Sequence, residues 1–383
     1  MTTPHIGILF EFPTLNGGEQ SMLAILKQLA GRDFRFTAIA PHCGRLSDAL
    51  TKQSIPTVPF SVRGSDNKKR DVSALTTELQ TIVRQQKLDI LHANSLSMSR
   101  LVGQPKLTIP ATTTRTGHLR DIVKLSKAAV SDINCNNGVI AVSHATRDFH
   151  VAQGFEPARC EVIYNGVDSS IFCRSNEANT RAELFPDIPS DAAILLNIGQ
   201  ICLRKNQLGL AKAICRLLHM RSDIYLVLAG ERHSTKQESI EYEQGIKDEF
   251  LSIEKPHHLQ MLGYRNDISK LMNAADILVH TPHQEPFGRT LLEAASCELP
   301  IIATNVGGTS EMLRDNVDAI LVPPGNIDTL CSAINRVLND TKATHERSES
   351  ARKHMVTEFS IASAAEKTAD FWHGQLTAAS PVE

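Results

Sequence analysis

Short apolar runs bounded by turn residues recur along this chain, separated by amphipathic stretches, and this alternation limits the fold more than any other feature. Helices between strands supply the crossovers that parallel strands need, so the pattern predicts an α/β fold with parallel sheets covered by helices on both faces. Runs at 6–10, 36–40, 89–93, 111–114 and 138–142 form a first set, with Ser143 as N-cap after the last. Met22, Ile25, Leu26 and Leu29 are the apolar stripe of the helix behind the first run, which Gly31 closes. Runs at 193–199, 224–229, 258–262, 277–280, 300–304 and 320–322 form a second set. The polar stretch 169–191, with Pro186 and Pro189, reads as the passage between them. Two domains are therefore expected, 1–170 and 171–357, followed by a segment 358–383 with a helix over 360–371; a charged helix over 341–355 precedes it.

A chain of 383 residues is comfortable for two such domains, each with its own core. Forty basic against 42 acidic side chains leave a formal charge of -2, which argues against a general nucleic-acid binder. The eight cysteines are scattered without a Cys-x2-Cys pair and read as reduced residues of a cytoplasmic protein. The start, Met-Thr-Thr-Pro-His, lacks a basic region, and Glu11 interrupts the first apolar run, so no leader is expected. No apolar run approaches the roughly 20 residues that span a bilayer, so membrane contact is expected only peripherally, at the inner face.

The stretch from Glu285 to Glu293 carries the chemistry. Residues 276–282 read as a buried strand closed by a turn, and 289–297 as a helix. Glu293 then sits among Leu291, Leu292, Ala294 and Ala295, and a buried carboxylate needs donors. With no Lys or Arg expected to partner it from three or four residues along the helix, the hydroxyl pair of a ribose would supply them. Glu285 can face the same ligand further along. The amides of Phe287, Gly288 and Arg289 lie at the positive helix end, where a diphosphate binds well. Two structural glutamates on a surface helix would show the same spacing. Arg204-Lys205 falls on a loop between the run ending at Gly199 and a helix over 208–218, placed either for a diphosphate or as a solvated basic pair. Gly17-Gly18 lets the backbone approach a phosphate or simply turn. No Gly-x-Gly-x-x-Gly, Walker A or Asp-x-Asp sequence is present.

These residues, with Pro300-Ile-Ile-Ala-Thr-Asn-Val-Gly-Gly-Thr-Ser-Glu311 and Val162-Ile-Tyr-Asn165-Gly166-Val167-Asp168, resemble the retaining GT-B glycosyltransferases of glycosyltransferase family 4 over almost the whole chain. The resemblance implies two Rossmann-like domains with parallel sheets facing across a cleft, the first holding the acceptor, the second a nucleotide-sugar, and the last helix crossing back to the first. It implies a metal-independent hexosyltransferase of glycan biosynthesis. The nucleotide-sugar is a substrate rather than a cofactor, and the acceptor is a carbohydrate, a lipid-linked sugar or a small molecule. The catalytic set would be His118, Glu285, Arg204 and Lys205. Donor contacts would come from Gly17, Gly18, Gly263, Tyr264, Arg265, Phe287, Gly288, Arg289, Thr290 and Glu293, with Gly263-Tyr264-Arg265 as the turn at the nucleobase. Glu285 would meet the sugar, Glu293 the ribose.

Two positions depart from the resemblance. Gln200 stands where an arginine is usual after the glycine, and Glu298 where glycine is usual, in a helix C-cap. His118 is expected just after the run 111–114, and Arg120, Lys124 and Lys127 on one solvated face of a following helix, which could instead meet anionic lipid or a phosphate-bearing acceptor. Lys68, Lys69 and Arg70 receive no function. A nucleotide-sugar epimerase, a phosphorylase or a non-catalytic nucleotide-sugar-binding protein would keep many of the same motifs. Donor base, donor sugar, acceptor and oligomeric state are not encoded in any readable motif.

Overall fold

The computed structural model describes residues 3–175 and 180–379. The first two residues of the stretch read for a leader, residues 176–179 of the predicted passage, and residues 380–383 of the predicted last segment lie outside the described residues. The chain forms two compact units, one from residues up to Gly166 together with those from Ile361 onward, the other Val167–Ser360.

In the first unit seven parallel strands form one sheet: β1 His5–Leu9, β2 Arg35–Ala40, β3 Thr57–Pro59, β4 Ile90–Ala93, β5 Thr114–Leu119, β6 Gly138–Ala141 and β7 Cys160–Val162, in the order β3-β2-β1-β4-β5-β6-β7. The order reverses between β1 and β4, which opens a crevice at their carboxyl ends. Helix Ile361–Ala379 belongs to this unit: Ala365, Phe371 and the fully buried Trp372 join Met22, Leu26 and Leu29 of the first helix in one core.

The second unit has six parallel strands, β8 Ala193–Ile198, β9 Ile224–Ala229, β10 Leu259–Met261, β11 Ile277–His280, β12 Ile301–Thr304 and β13 Ile320–Val322, in the order β10-β9-β8-β11-β12-β13. Here the order reverses between β8 and β11. Nearly every residue of the central strands is buried, which is why these strands read as continuous apolar runs rather than alternating ones. Both sheets carry the predicted parallel α/β architecture.

Two local expectations are corrected. The fifth strand lies at Thr114–Leu119, not 111–114, because residues 110–113 form a turn (Thr113 N–H to Pro110 O, 2.9 Å) and pairing starts at Thr114 opposite Ile90. Its Thr116, Gly117 and His118 are buried although not apolar, so hydrophobicity placed the strand too early. Residues 120–126 are not helical. The helix begins at Lys127, where the Ser126 hydroxyl caps the Ala129 N–H at 3.2 Å. The short strands β3 and β7 have partly exposed patterns and gave no apolar run to read.

Candidate active site

In the second unit the loop after β11 delivers Glu285 into a buried position, only 6% exposed. Its Oε2 accepts hydrogen bonds from Lys205 Nζ at 2.6 Å and from His280 Nε2 at 2.9 Å. Burial alone would raise this carboxyl's pKa, but the Lys205 ammonium and the His280 N–H outweigh it and hold the group ionised far below the usual carboxylate range. His280, the last residue of β11 and 1% exposed, is kept neutral by burial and by the neighbouring Lys205 charge. Both donors converge on one oxygen. The other, Oε1, takes no hydrogen bond from the described residues and is the acceptor left for a ligand.

Lys205 reaches this carboxylate from the loop after β8, across the point where the strand order reverses. The loop is tied down by the buried Gln207, whose side chain donates to Gln200 O at 2.9 Å. Arg204 lies at the surface of the same loop, its guanidinium on Gln284 O at 3.3 Å and its own carbonyl on the His283 N–H at 2.9 Å.

Gly288 precedes helix Arg289–Ser296 with φ +89°, and a Cβ there would meet Leu291 Cδ1 at 3.0 Å and Glu285 Cγ at 3.2 Å. Thr290 is half-buried in the first turn; the Phe287 ring is buried, 5.7 Å from Phe359. Glu293 lies one turn further in, and burial raises its pKa. The expectation that no helical cation serves Glu293 is corrected: Arg289, four residues earlier, donates Nε to Glu293 Oε1 at 2.6 Å. The Arg289 Nη1 group is buried with no partner. Glu293 Oε2 is not engaged by the described residues.

Gly263, with φ +64°, bridges to Gly230 at the carboxyl ends of β9 and β10, where a side chain on Gly230 would strike the Gly199 carbonyl. Tyr264 follows it. Arg265 is clamped to Asp267 through Nε (2.8 Å) and Nη2 (2.5 Å), which leaves Nη1 without a hydrogen bond to the described residues. Glu298 adopts φ +57° after its helix and pairs with Arg174 at 2.9 Å and Arg352 at 3.1 Å, a use that glycine could not supply.

In the first unit Gly17 and Gly18 open a helix whose N-cap Asn16 forms a capping box with Glu19. His118 lies inside β5 rather than after it, 2% exposed. Arg120 Nη2 approaches its Nδ1 at 3.2 Å; arginine can only donate, so Nδ1 accepts and Nε2 carries the proton, buried without a partner. Burial, then Arg120 and His92, push the His118 pKa well below its ordinary value. Arg120 is not on a solvated helical face. It donates to Asn94 O (3.1 Å), Asn94 Oδ1 (2.9 Å) and Asn165 Oδ1 (3.1 Å), and packs over Gly18, where a Cβ would come within 3.0 Å of its Cδ. Sequence reading missed Asn94 and His280; the only available signal for His280 was a polar residue ending an apolar run five residues before Glu285.

Among the described residues no group of three or more His, Cys, Asp or Glu is arranged to hold a metal ion, and no helix is long and apolar enough to cross a membrane.

The chain matches Glycosyltransferase Family 4 over residues 15–171 and Glycosyl transferases group 1 over 181–354. It is 22% identical over 377 residues, 94% of each chain, to the Escherichia coli UDP-Gal:alpha-D-GlcNAc-diphosphoundecaprenol alpha-1,3-galactosyltransferase. Its fold is that of Anabaena HepE in complex with UDP and glucose (TM-score 0.84, 21% identity, 96% of this chain and 99% of that one). It is also that of WaaG, a glycosyltransferase involved in lipopolysaccharide biosynthesis (TM-score 0.73, 17% identity, 96% and 99%).

Proposed function

Because this chain belongs to the GT-B glycosyltransferases of the family 4 and group 1 type, and so transfers sugars, we propose that it moves one from a nucleotide-sugar to an acceptor hydroxyl with retention of anomeric configuration. The supporting observation is the Lys205–Glu285–His280 cluster. A carboxylate held permanently ionised is a poor proton donor and a strong hydrogen-bond acceptor. Glu285 therefore grips hydroxyls of the donor sugar through Oε1, and the remaining N–H groups of Lys205 face the diphosphate with Arg204. Glu293 Oε2 accepts from the ribose. As the bond from the anomeric carbon to the phosphate oxygen breaks, its electron pair stays on the diphosphate, and these cations meet the charge that develops. The acceptor oxygen bonds to the same face of that carbon and its proton passes to the departing phosphate oxygen, so no protein nucleophile is required.

UDP-sugars are the first donors to test, since the E. coli relative's name specifies UDP-Gal and HepE was solved with UDP. The test is NMR of the product's anomeric centre formed from UDP-galactose or UDP-glucose with and without chelator. A retained configuration and chelator-insensitive rate are expected. Inversion, or loss of activity restored by magnesium or manganese, would overturn the mechanism. Free epimerised nucleotide-sugar, phosphate-dependent glucan cleavage, or binding without turnover across acceptors would instead assign an epimerase, a phosphorylase or a binding protein.

A further inference from the structure

A second feature of the first unit is lined by none of the residues read for the donor. Beside the β1/β4 crevice lies a hollow of about 240 Å³. Its floor is apolar: Val62, Leu75, Met98 and Leu101 are all buried. Val72, at the start of helix Val72–Gln86, continues that apolar surface outward and is 38% exposed.

The polar groups around this floor are of two kinds. Glu11, two residues beyond β1, is half-buried at one side and accepts the Ser95 hydroxyl at 3.0 Å. Burial raises its pKa, opposed by the Ser95 and Ser97 hydroxyls and by the nearby Lys69 charge, while Asp121 raises it further. Lys69 and Lys106, both exposed, supply the cations, and neither has an ion pair among the described residues; Lys106 Nζ touches only the Ser73 hydroxyl at 3.4 Å. Arg100, also on the wall, is already paired with Asp132 at 2.8 Å.

An apolar floor leading outward, two ammonium groups on the rim without an ion pair among the described residues, and one carboxylate at the side ask for three different things of one ligand. A neutral sugar would leave the lysines without use, and a free anion would leave the apolar floor wet. We infer that this hollow binds the acceptor, and that the acceptor is an amphiphile: an apolar chain on Val72 and the floor, a phosphate group between Lys69 and Lys106, and a hydroxyl-bearing head at Glu11. This rests on the transferase reading above and adds to it the acceptor's chemical class.

Binding can be tested without knowing the natural acceptor. Octyl phosphate, octyl glucoside and inorganic phosphate are titrated into the full chain by calorimetry, with circular dichroism and UDP titration to confirm that each variant is folded. Octyl phosphate should bind more tightly than inorganic phosphate, and the charge-reversed pair Lys69→Glu/Lys106→Glu should weaken it by about tenfold or more. Val72→Asp, an exposed change at a helix start where an acidic residue is tolerated, should weaken octyl phosphate but not inorganic phosphate. Glu11→Gln should have opposite effects on two probes: weaker octyl glucoside, since a charged acceptor is lost, and equal or tighter octyl phosphate, since a like charge is removed. Octyl phosphate bound no better than inorganic phosphate, or bound unchanged in the charge-reversed variant, overturns the inference. A chain that binds octyl phosphate in this pattern yet never turns over any UDP-sugar supports the hollow and removes the donor reading.

Discussion

At the scale of single residues, the two glutamates of the motif have opposite electrostatics although the sequence presents them as a pair. Glu285 is held ionised by a lysine and a histidine, whereas burial raises the Glu293 pKa against the pull of Arg289. Glu285→Ala should lower kcat by about 10²-fold, as for loss of one preorganised electrostatic group, and leave free UDP affinity near its starting value. Glu293→Ala should weaken UDP and UDP-sugar alike, by about tenfold. Calorimetric titration of both ligands with both variants separates the roles, and identical losses would refute them. His280 is a positioning residue in this scheme: His280→Leu should reduce kcat while sparing UDP affinity, and His280→Asn, which keeps a donor, should recover part of the rate. Equal rates for the two variants would deny that its hydrogen bond matters.

Buried histidines in the first unit make a separate, pH-dependent contribution. Trp372 Nε1–H donates to His92 Nδ1 at 3.2 Å, burial is complete, and the His92 pKa falls to about 3, with the nearby Arg120 also lowering it. His92 is neutral when folded but protonates near its ordinary 6.5 when unfolded. The unfolded state therefore binds more protons between those values, and stability present above 6.5 is lost as pH falls below it. The slope should be about 1.4 kcal/mol per pH unit for each such histidine, with His118 adding in the same direction. Urea unfolding at pH 7.5 and 5.5, repeated with His92→Gln, should show a shallower pH dependence in the variant.

At the scale of elements, the loop after β8 and the helix after Gly288 bring the site's charges together. Gly288→Ala introduces a Cβ at φ +89° against Leu291 and the Glu285 side chain. It should cost about 1 to 3 kcal/mol of stability and raise the donor KM, read by denaturant unfolding and steady-state kinetics. On the β8 loop, Lys205→Ala removes the cation proposed to meet the diphosphate and also leaves Glu285 buried without its ammonium. The loss should be about 2 to 4 kcal/mol in transition-state stabilisation. Gln200→Arg should be tolerated or tighten UDP. An inert Lys205→Ala together with unchanged affinity in Gln200→Arg would take this loop out of the site.

At the scale of the whole molecule, each unit's strand order reverses once and opens a crevice there, and the last helix completes the first unit from the far end of the chain. Trp372, the only tryptophan, is wholly buried there against His92 and Phe34. Trp372→Ala should destabilise that unit by roughly 3 to 5 kcal/mol, measured by circular dichroism in urea. Trp372→Phe, which keeps most of the packing, should cost less.

The parallel α/β class was legible because buried parallel strands need unbroken apolar runs, and β8, β9 and β11 have them. The helix dipole at Gly288 and the burial of Glu293 were legible too, since both depend on neighbours within a few residues. Where burial and apolarity part company the reading failed: β5 hides Thr116, Gly117 and His118 within hydrogen-bonded contacts that no periodicity records. Arg120 looked like a surface cation because its partners Asn94 and Asn165 are distant in sequence. The joining of Lys205 to Glu285, 80 residues apart, and the choice of His280 as second donor follow from β8 lying beside β11. Local sequence sets which groups could be charged or buried; strand order decides which of them meet, and so which oxygen of Glu285 is left for a ligand.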